Sequence, residues 1–129
     1  MASGMYDFGV QELMKGNVDL INDTLSAVVL SASYSPVLAS DEYQTDIPDA
    51  AILDEIDLSG QEITGTVFNA DPVTFTDVDS GESVAGVAVL KNTGDTSTSI
   101  LIAYFVVTPF TTDGTSVIVN WHADGIIEL

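Results

Sequence analysis

Two apolar, β-favouring runs on either side of a polar segment constrain this chain more than any other feature. Ser83-Val84-Ala85-Gly86-Val87-Ala88-Val89-Leu90 leads into Lys91-Asn92-Thr93-Gly94-Asp95-Thr96-Ser97-Thr98-Ser99, and Ile100-Leu101-Ile102-Ala103-Tyr104-Phe105 follows. Asn92, Gly94 and Asp95 tolerate the positive φ that hairpin loops need. Residues 83–105 are therefore expected to form a long-looped β-hairpin near the middle of the core. Neither run alternates strongly, which predicts strands buried on both faces or covered at a subunit contact.

The rest of the chain supports a β architecture. Turn signals such as Asn22-Asp23, Ser59-Gly60, Asp71-Pro72, Ser80-Gly81 and Asp113-Gly114 recur at the short spacing that favours an antiparallel sandwich or barrel over a parallel α/β sheet. Strands are expected over 24–30, 62–68, 73–77 and 115–121, with a shorter one at 18–20 and an apolar close at 126–129. Residues 50–58 are ambiguous: Ile52, Leu53 and Ile56 fit a helix, whereas Ile52, Ile56 and Leu58 fit a strand face if Asp54 is tolerated, and the surrounding strands and turns favour the strand. Pro109 should end pairing or sit at an edge.

Residues 5–14 are the best helix candidate, with Tyr6, Val10, Leu13 and Met14 on one face. Gly16 and Asn17 are good stop residues, while Gly9 weakens the helix by about 1 kcal/mol relative to Ala. Residues 31–49 are rich in breakers and read as a long loop, a length that is often functional. Tyr34, Tyr43 and Ile47 are expected to anchor that loop to the body. The expected layout is one β domain over 1–129, with 1–16 as an arm or helix and 17–129 as the β body.

Charge excludes more than it suggests. Twenty Asp and Glu stand against two bases, Lys15 and Lys91, for a net charge of −18. Nucleic-acid binding needs bases to replace counterions on phosphate, so no nucleic-acid partner is expected. Anionic membrane surfaces are excluded on the same ground. No run approaches the roughly 18 apolar residues of a membrane helix. Asp7 and Glu12 precede any base, which is unlike a secretory leader, so synthesis in a cytoplasm is expected. A mean hydropathy of +0.32 argues against disorder. The chain has no Cys, so disulfides, thiol nucleophiles and Cys-type zinc sites are ruled out.

No catalytic or metal constellation stands out. Asp77, Asp79 and Glu82 around Gly81 resemble the start of a calcium loop, but Ala88 stands where a bidentate Glu is needed. Asp54, Glu55 and Asp57 could supply a carboxylate pair for glycoside hydrolysis, yet neighbouring acids are expected by chance in so acidic a chain. His122, the single histidine, is accompanied by no nucleophile elbow and reads as a turn residue. Tyr34, Tyr43, Tyr104 and Trp121 could stack on sugars, although aromatics in a β domain are more often core.

Several blocks resemble the decoration (cement) proteins of tailed-bacteriophage heads. Near the start these are Lys15-Gly16-Asn17-Val18-Asp19-Leu20, Asp23-Thr24-Leu25, Val28-Val29-Leu30 and Ser33-Tyr34-Ser35-Pro36, followed by Asp41-Glu42-Tyr43 and Asp46-Ile47. The more specific block is Val87-Ala88-Val89-Leu90-Lys91-Asn92-Thr93-Gly94-Asp95 leading into Ser99-Ile100-Leu101-Ile102-Ala103-Tyr104. The close, 114–121 with Gly125-Ile126, also fits. The family often has a Pro where Ile100 stands, and a more aromatic, glycine-rich stretch where 51–59 lies.

What the resemblance implies is a non-enzymatic virion protein on the outer capsid surface. It would bind the major capsid protein as a homotrimer near three-fold positions and use no cofactor. Contacts would be expected on the arm and the long loop, at Met1, Met5, Tyr6, Phe8, Tyr34, Tyr43 and Ile47, because such segments carry binding residues. The alternatives are a tail- or fibre-associated adhesin that binds glycans through Tyr and Trp, and, further off, a polysaccharide hydrolase using two carboxylates.

Overall fold

The two apolar runs form the longest strands of the fold, β7 (Ser83–Lys91) and β8 (Ile100–Thr111), paired antiparallel. The computed structural model describes residues 4–121 and 124–128. Residues 92–99 connect the two strands through side-chain-to-backbone bonds. The Asn92 Oδ1 accepts from the Gly94 amide at 2.8 Å, and the Asp95 Oδ1 accepts from the Ser97 amide at 2.8 Å. Gly94 takes φ +86°, a conformation that strains any residue bearing a Cβ.

β8 runs beyond the expected end of the hairpin. Pairing resumes past Pro109, because the register jumps from Gly86↔Val106 to Val84↔Phe110. Pro109 thus sits in a bulge, where no ladder N–H is required of it.

β7 and β8 lie within an open five-stranded antiparallel sheet of order β1-β8-β7-β2-β3, with β1 at Gly4–Met5, β2 at Leu25–Ser31 and β3 at Ile52–Asp57. Every residue of β2 is buried. Its odd positions Leu25, Ala27 and Val29 join Val87, Val89 and Ile102 in one core cluster. Its even positions Val28 and Leu30 join Ala88, Leu90, Leu101 and Tyr104 in another. The central strands are therefore buried on both faces by this chain itself, which explains their near-continuous apolar sequence. A subunit contact is not needed to cover them.

Two small sheets cover the first face. One has the order β10-β5-β4, from Ile127–Glu128, Val67–Asn69 and Glu62–Thr64. The other pairs β6 (Val73–Phe75) with β9 (Val117–Val119). They contribute Phe68, Val73, Phe75, Val117 and Ile127 to the first cluster. The second face is covered by the N-terminal segment and the long loop. The fold is mainly β and antiparallel with one short N-terminal helix, compatible with a β-sandwich. No helix among the described residues is long and apolar enough to cross a membrane.

Several expected boundaries move. Residues 62–68 form two strands rather than one. Gly65 at φ +64° and Thr66 turn the chain so that Thr64 faces Val67, the Gly-first turn favoured in two-residue hairpins. Residues 18–20 form no strand, although Val18 and Leu20 are buried. The strand expected over 73–77 covers 73–75, and that over 115–121 covers 117–119.

The helix, α1 (Asp7–Met14), begins later than expected because Met5 is extended and paired with Ala103. Its buried positions are Gly9 and Glu12, while Met14 is exposed. The end of α1 is a Schellman motif. The Gly16 amide (φ +82°) donates to the Leu13 carbonyl and the Asn17 amide to the Glu12 carbonyl.

Candidate functional site

The layer over the second sheet face contains the two segments expected to meet a partner. β1 extends along β8, and the Tyr6 amide donates to the Ile102 carbonyl at 2.9 Å. α1 then lies across β8 with almost no clearance. A Cβ on Gly9 would sit 2.3 Å from the Leu101 carbonyl oxygen. The glycine that weakens the helix on propensity is what lets it dock.

The long loop is tied down over most of its length. The Asp41 Oδ2 accepts from the Val37 amide at 2.9 Å and from the Tyr34 hydroxyl at 2.8 Å. Because Tyr34 gives its one hydroxyl proton to Asp41, Tyr6 is the donor in the 2.8 Å contact between the two phenols. Burial pushes both phenols well above the ordinary tyrosine range. Asp46 Oδ2 closes the next turn on the amides of Glu42 and Tyr43. The loop then runs beside β8, with the Leu101 amide donating to the Glu42 carbonyl and the Gln44 amide to the Ser99 carbonyl. Two 3-10 turns, Gln44–Asp46 and Asp49–Ala51, lead into β3.

The residues expected to make contacts divide by burial. Tyr6, Tyr34 and Ile47 are buried in the second core cluster, so their side chains are not available to a partner. Met5, Phe8 and Tyr43 are half-buried against the other cluster, and the rings of Phe8 and Tyr43 lie 5.1 Å apart. Tyr34, Tyr43 and Ile47 do anchor the loop to the body. Met1 lies outside the described residues. What these segments present to solvent includes Met14 and Val37, 77% and 52% exposed.

Beside the layer lies a polar cleft of about 540 Å³, lined by Gln44, Glu55, Asp57, Asn92, Asp95 and Ser99 among others. Strand alternation sends Glu55 and Asp57 into it. Asp54, on the opposite side of β3, accepts from the Asp77 amide at 3.3 Å. The three acids weighed as a hydrolytic pair thus divide between two faces. The two in the cleft already serve the framework. Glu55 accepts from the side-chain amides of Gln44 and Asn92, and Asp57 accepts from the Ser26 hydroxyl at 2.7 Å. The Ser97 hydroxyl and amide hold the Asp95 carboxyl below the usual carboxylate range.

The Asp77–Glu82 turn is closed by Thr112. Its hydroxyl donates to the Asp79 carbonyl and accepts from the Glu82 amide, while its carbonyl accepts from Gly81. Among the described residues no group of His, Cys, Asp and Glu is arranged to hold a metal ion. Tyr104 is buried with its hydroxyl end over Gly86, where a Cβ would lie 2.0 Å from that oxygen. Trp121 rests its ring edge-on against Phe105 and donates its indole N–H to the Asp71 carbonyl at 3.0 Å. His122 and Leu129 lie outside the described residues.

A second concavity has no counterpart in the expectations from sequence. It runs between the distal half of β8 and β9, lined by Val84, Val87, Val107, Phe110, Ile118 and Asn120 among others. Its signal is a gap in charge. From Thr96 to Trp121 the chain carries one charged residue, Asp113. Comparison with family models, curated proteins and solved structures returned no match.

Proposed function

We propose that this chain is a structural virion protein that binds the outer surface of a tailed-phage capsid and stabilises the shell as a decoration protein. The observation that carries the reading is where the strand-forming blocks of the resemblance fall, the others lying in the turns and the long loop. The blocks at 28–30, 87–95, 99–104 and 114–121 coincide with β2, β7, the closed turn at 92–99, the first half of β8 and β9. They make up the framework of the fold rather than scattered surface. A likeness that follows the framework concerns the kind of body the chain builds.

Other features are compatible with the role. Lys15 pairs with Glu12 at 3.5 Å and Lys91 with Asp23 at 3.2 Å, so both lysines are engaged within the chain. A shell partner would therefore meet a surface dominated by carboxylates and neutral polar groups. A protein that binds only the assembled shell raises its stability by mass action, and modest contacts suffice when several are engaged together. The major capsid protein is the proposed partner, engaged by a homotrimer through exposed residues of the covering layer.

The adhesin reading is less well supported, because the aromatic rings it would use have intramolecular roles. Tyr34 and Tyr104 are buried, Tyr43 packs on Phe8, and Trp121 packs on Phe105. The test is co-sedimentation of purified protein with intact, undecorated capsids of its own phage. Recovery in the capsid fraction is expected, and protein left in the supernatant would overturn the reading. Density from labelled protein at the tail tip would favour the adhesin instead.

A further inference from the structure

We propose that the Asp54 carboxylate closes the β3 edge of the five-stranded sheet and thereby keeps further strands from adding there. The two edges of that sheet are finished differently. β8 is lined by β1 at Ala103 and Tyr104, and by the long loop, whose Glu42 carbonyl accepts from the Leu101 amide. β3 has no strand beyond it, because β6 lies alongside but pairs with β9. An edge of this kind offers its outward N–H groups as a template for another chain.

Strand alternation says which groups those are. The Leu58 amide donates to the Leu25 carbonyl at 2.8 Å. Ile56 and Asp54, paired with Ala27 and Val29, face β2 in the same way, so the amides of Glu55 and Asp57 face outward. The Glu55 amide is not left open. Asp54 Oδ1 accepts from it at 2.8 Å, and Asp54 Oδ2 accepts at 3.3 Å from the amide of Asp77, two residues beyond β6. One carboxylate thus occupies a donor that an incoming strand would need, and places its charge in the gap where that strand would lie. Glu55 and Asp57 are turned to the cleft face, on Gln44, Asn92 and Ser26. The acid that interrupts the apolar pattern of 50–58 is therefore the one that guards the edge.

The test is light scattering on the purified full chain in about 1 M NaCl, where repulsion from the remaining acids is screened beyond about 3 Å. Asp54→Ala is expected to form assemblies beyond the wild-type size that grow with protein concentration. Asp57→Ala removes the same charge from the same strand and is expected to match the wild type. Asp54→Ala combined with Glu55→Pro is expected to return to the wild-type size, since proline removes the outward N–H and is tolerated on an open edge. Glu55→Pro also removes the acceptor for Gln44 and Asn92, so the reversal cannot come from added stability. Circular dichroism verifies that each variant is folded. Hydrogen exchange on the wild type alone gives a second reading. Corrected for intrinsic rates, the Glu55 amide should exchange about tenfold more slowly than the Asp57 amide, in keeping with a hydrogen bond to a charged group.

Folded Asp54→Ala that keeps the wild-type size overturns the proposal. So does an Asp57→Ala variant, or the double variant, that assembles as readily as Asp54→Ala. A wild-type Glu55 amide that exchanges as fast as that of Asp57 overturns it without any variant. None of these results bears on capsid binding, so the two readings stand or fall separately.

Discussion

An alanine at position 9 would add a methyl group 2.3 Å from the Leu101 carbonyl oxygen and 2.8 Å from the Ile102 Cα. Both neighbours are backbone of a central strand and cannot swing aside. Helix propensity alone would make Gly9→Ala stabilising by about 1 kcal/mol, whereas overpacking of this kind costs about 1–3 kcal/mol. The clash should win, and a thermal melt should show a lower Tm for Gly9→Ala.

Asn17 offers a second test at the same scale. Its side-chain amide donates to the Glu12 Oε2 at 2.5 Å, and this bond, ahead of the Lys15 charge, holds the Glu12 carboxyl below its ordinary value. A depressed folded-state pKa stabilises the fold above the unfolded value, about 4.3, and that contribution disappears as pH falls through the folded value. Asn17→Ala should therefore melt below wild type at pH 7. The gap should shrink once the carboxyl is protonated, which melts in acidic buffer would reveal.

At the scale of elements, the covering loop depends on the relay from Tyr6 through Tyr34 to Asp41. Tyr34→Phe removes the donor to Asp41 and the acceptor for Tyr6, leaving a buried phenol without its partner, at a cost of about 1–3 kcal/mol. Hydrogen exchange should quicken first at the amides of 37–41, where the Asp41 carboxylate closes the turn, and later at Gln44, which donates to the Ser99 carbonyl beside β8. Unchanged protection at 37–41 would count against the relay.

These elements also show what could be read from the chain. The β7–β8 hairpin was legible, because its runs are long and its turn residues have distinct backbone preferences. The 62–69 hairpin was not, since two three-residue strands around Gly65-Thr66 show the same alternation as one strand. The loop's anchors at Tyr34, Tyr43 and Ile47 were legible as large apolar side chains among breakers. Its partners were not, because Ser99 and Leu101 meet it from more than fifty positions away in sequence. Gly9 was read for propensity alone, since close approach to another strand leaves no local trace. Gln44 and Thr112 carry no signal that would mark them as hubs. The β8–β9 groove was legible only as an absence of charge.

Across the whole molecule, the acids repel one another, and two engaged lysines cannot offset them. Salt should therefore stabilise the fold itself, through screening of like charges. Differential scanning calorimetry is expected to give a Tm that climbs with NaCl, and a flat or falling Tm would show that the carboxylates are already compensated by local hydrogen bonds.

The cover of the second sheet face has a further consequence for how the protein is made. Gly4 pairs with Tyr104 and Tyr6 hydrogen-bonds to Ile102, so the N-terminal arm closes on a strand about a hundred positions further along the chain. During synthesis from the N-terminus, the arm and the long loop must wait unpaired until β8 has left the ribosome. Contacts so distant in sequence fold slowly. In that interval the acids of the segment, from Asp7 to Asp49, supply the like-charge repulsion that favours solubility of an unpaired chain.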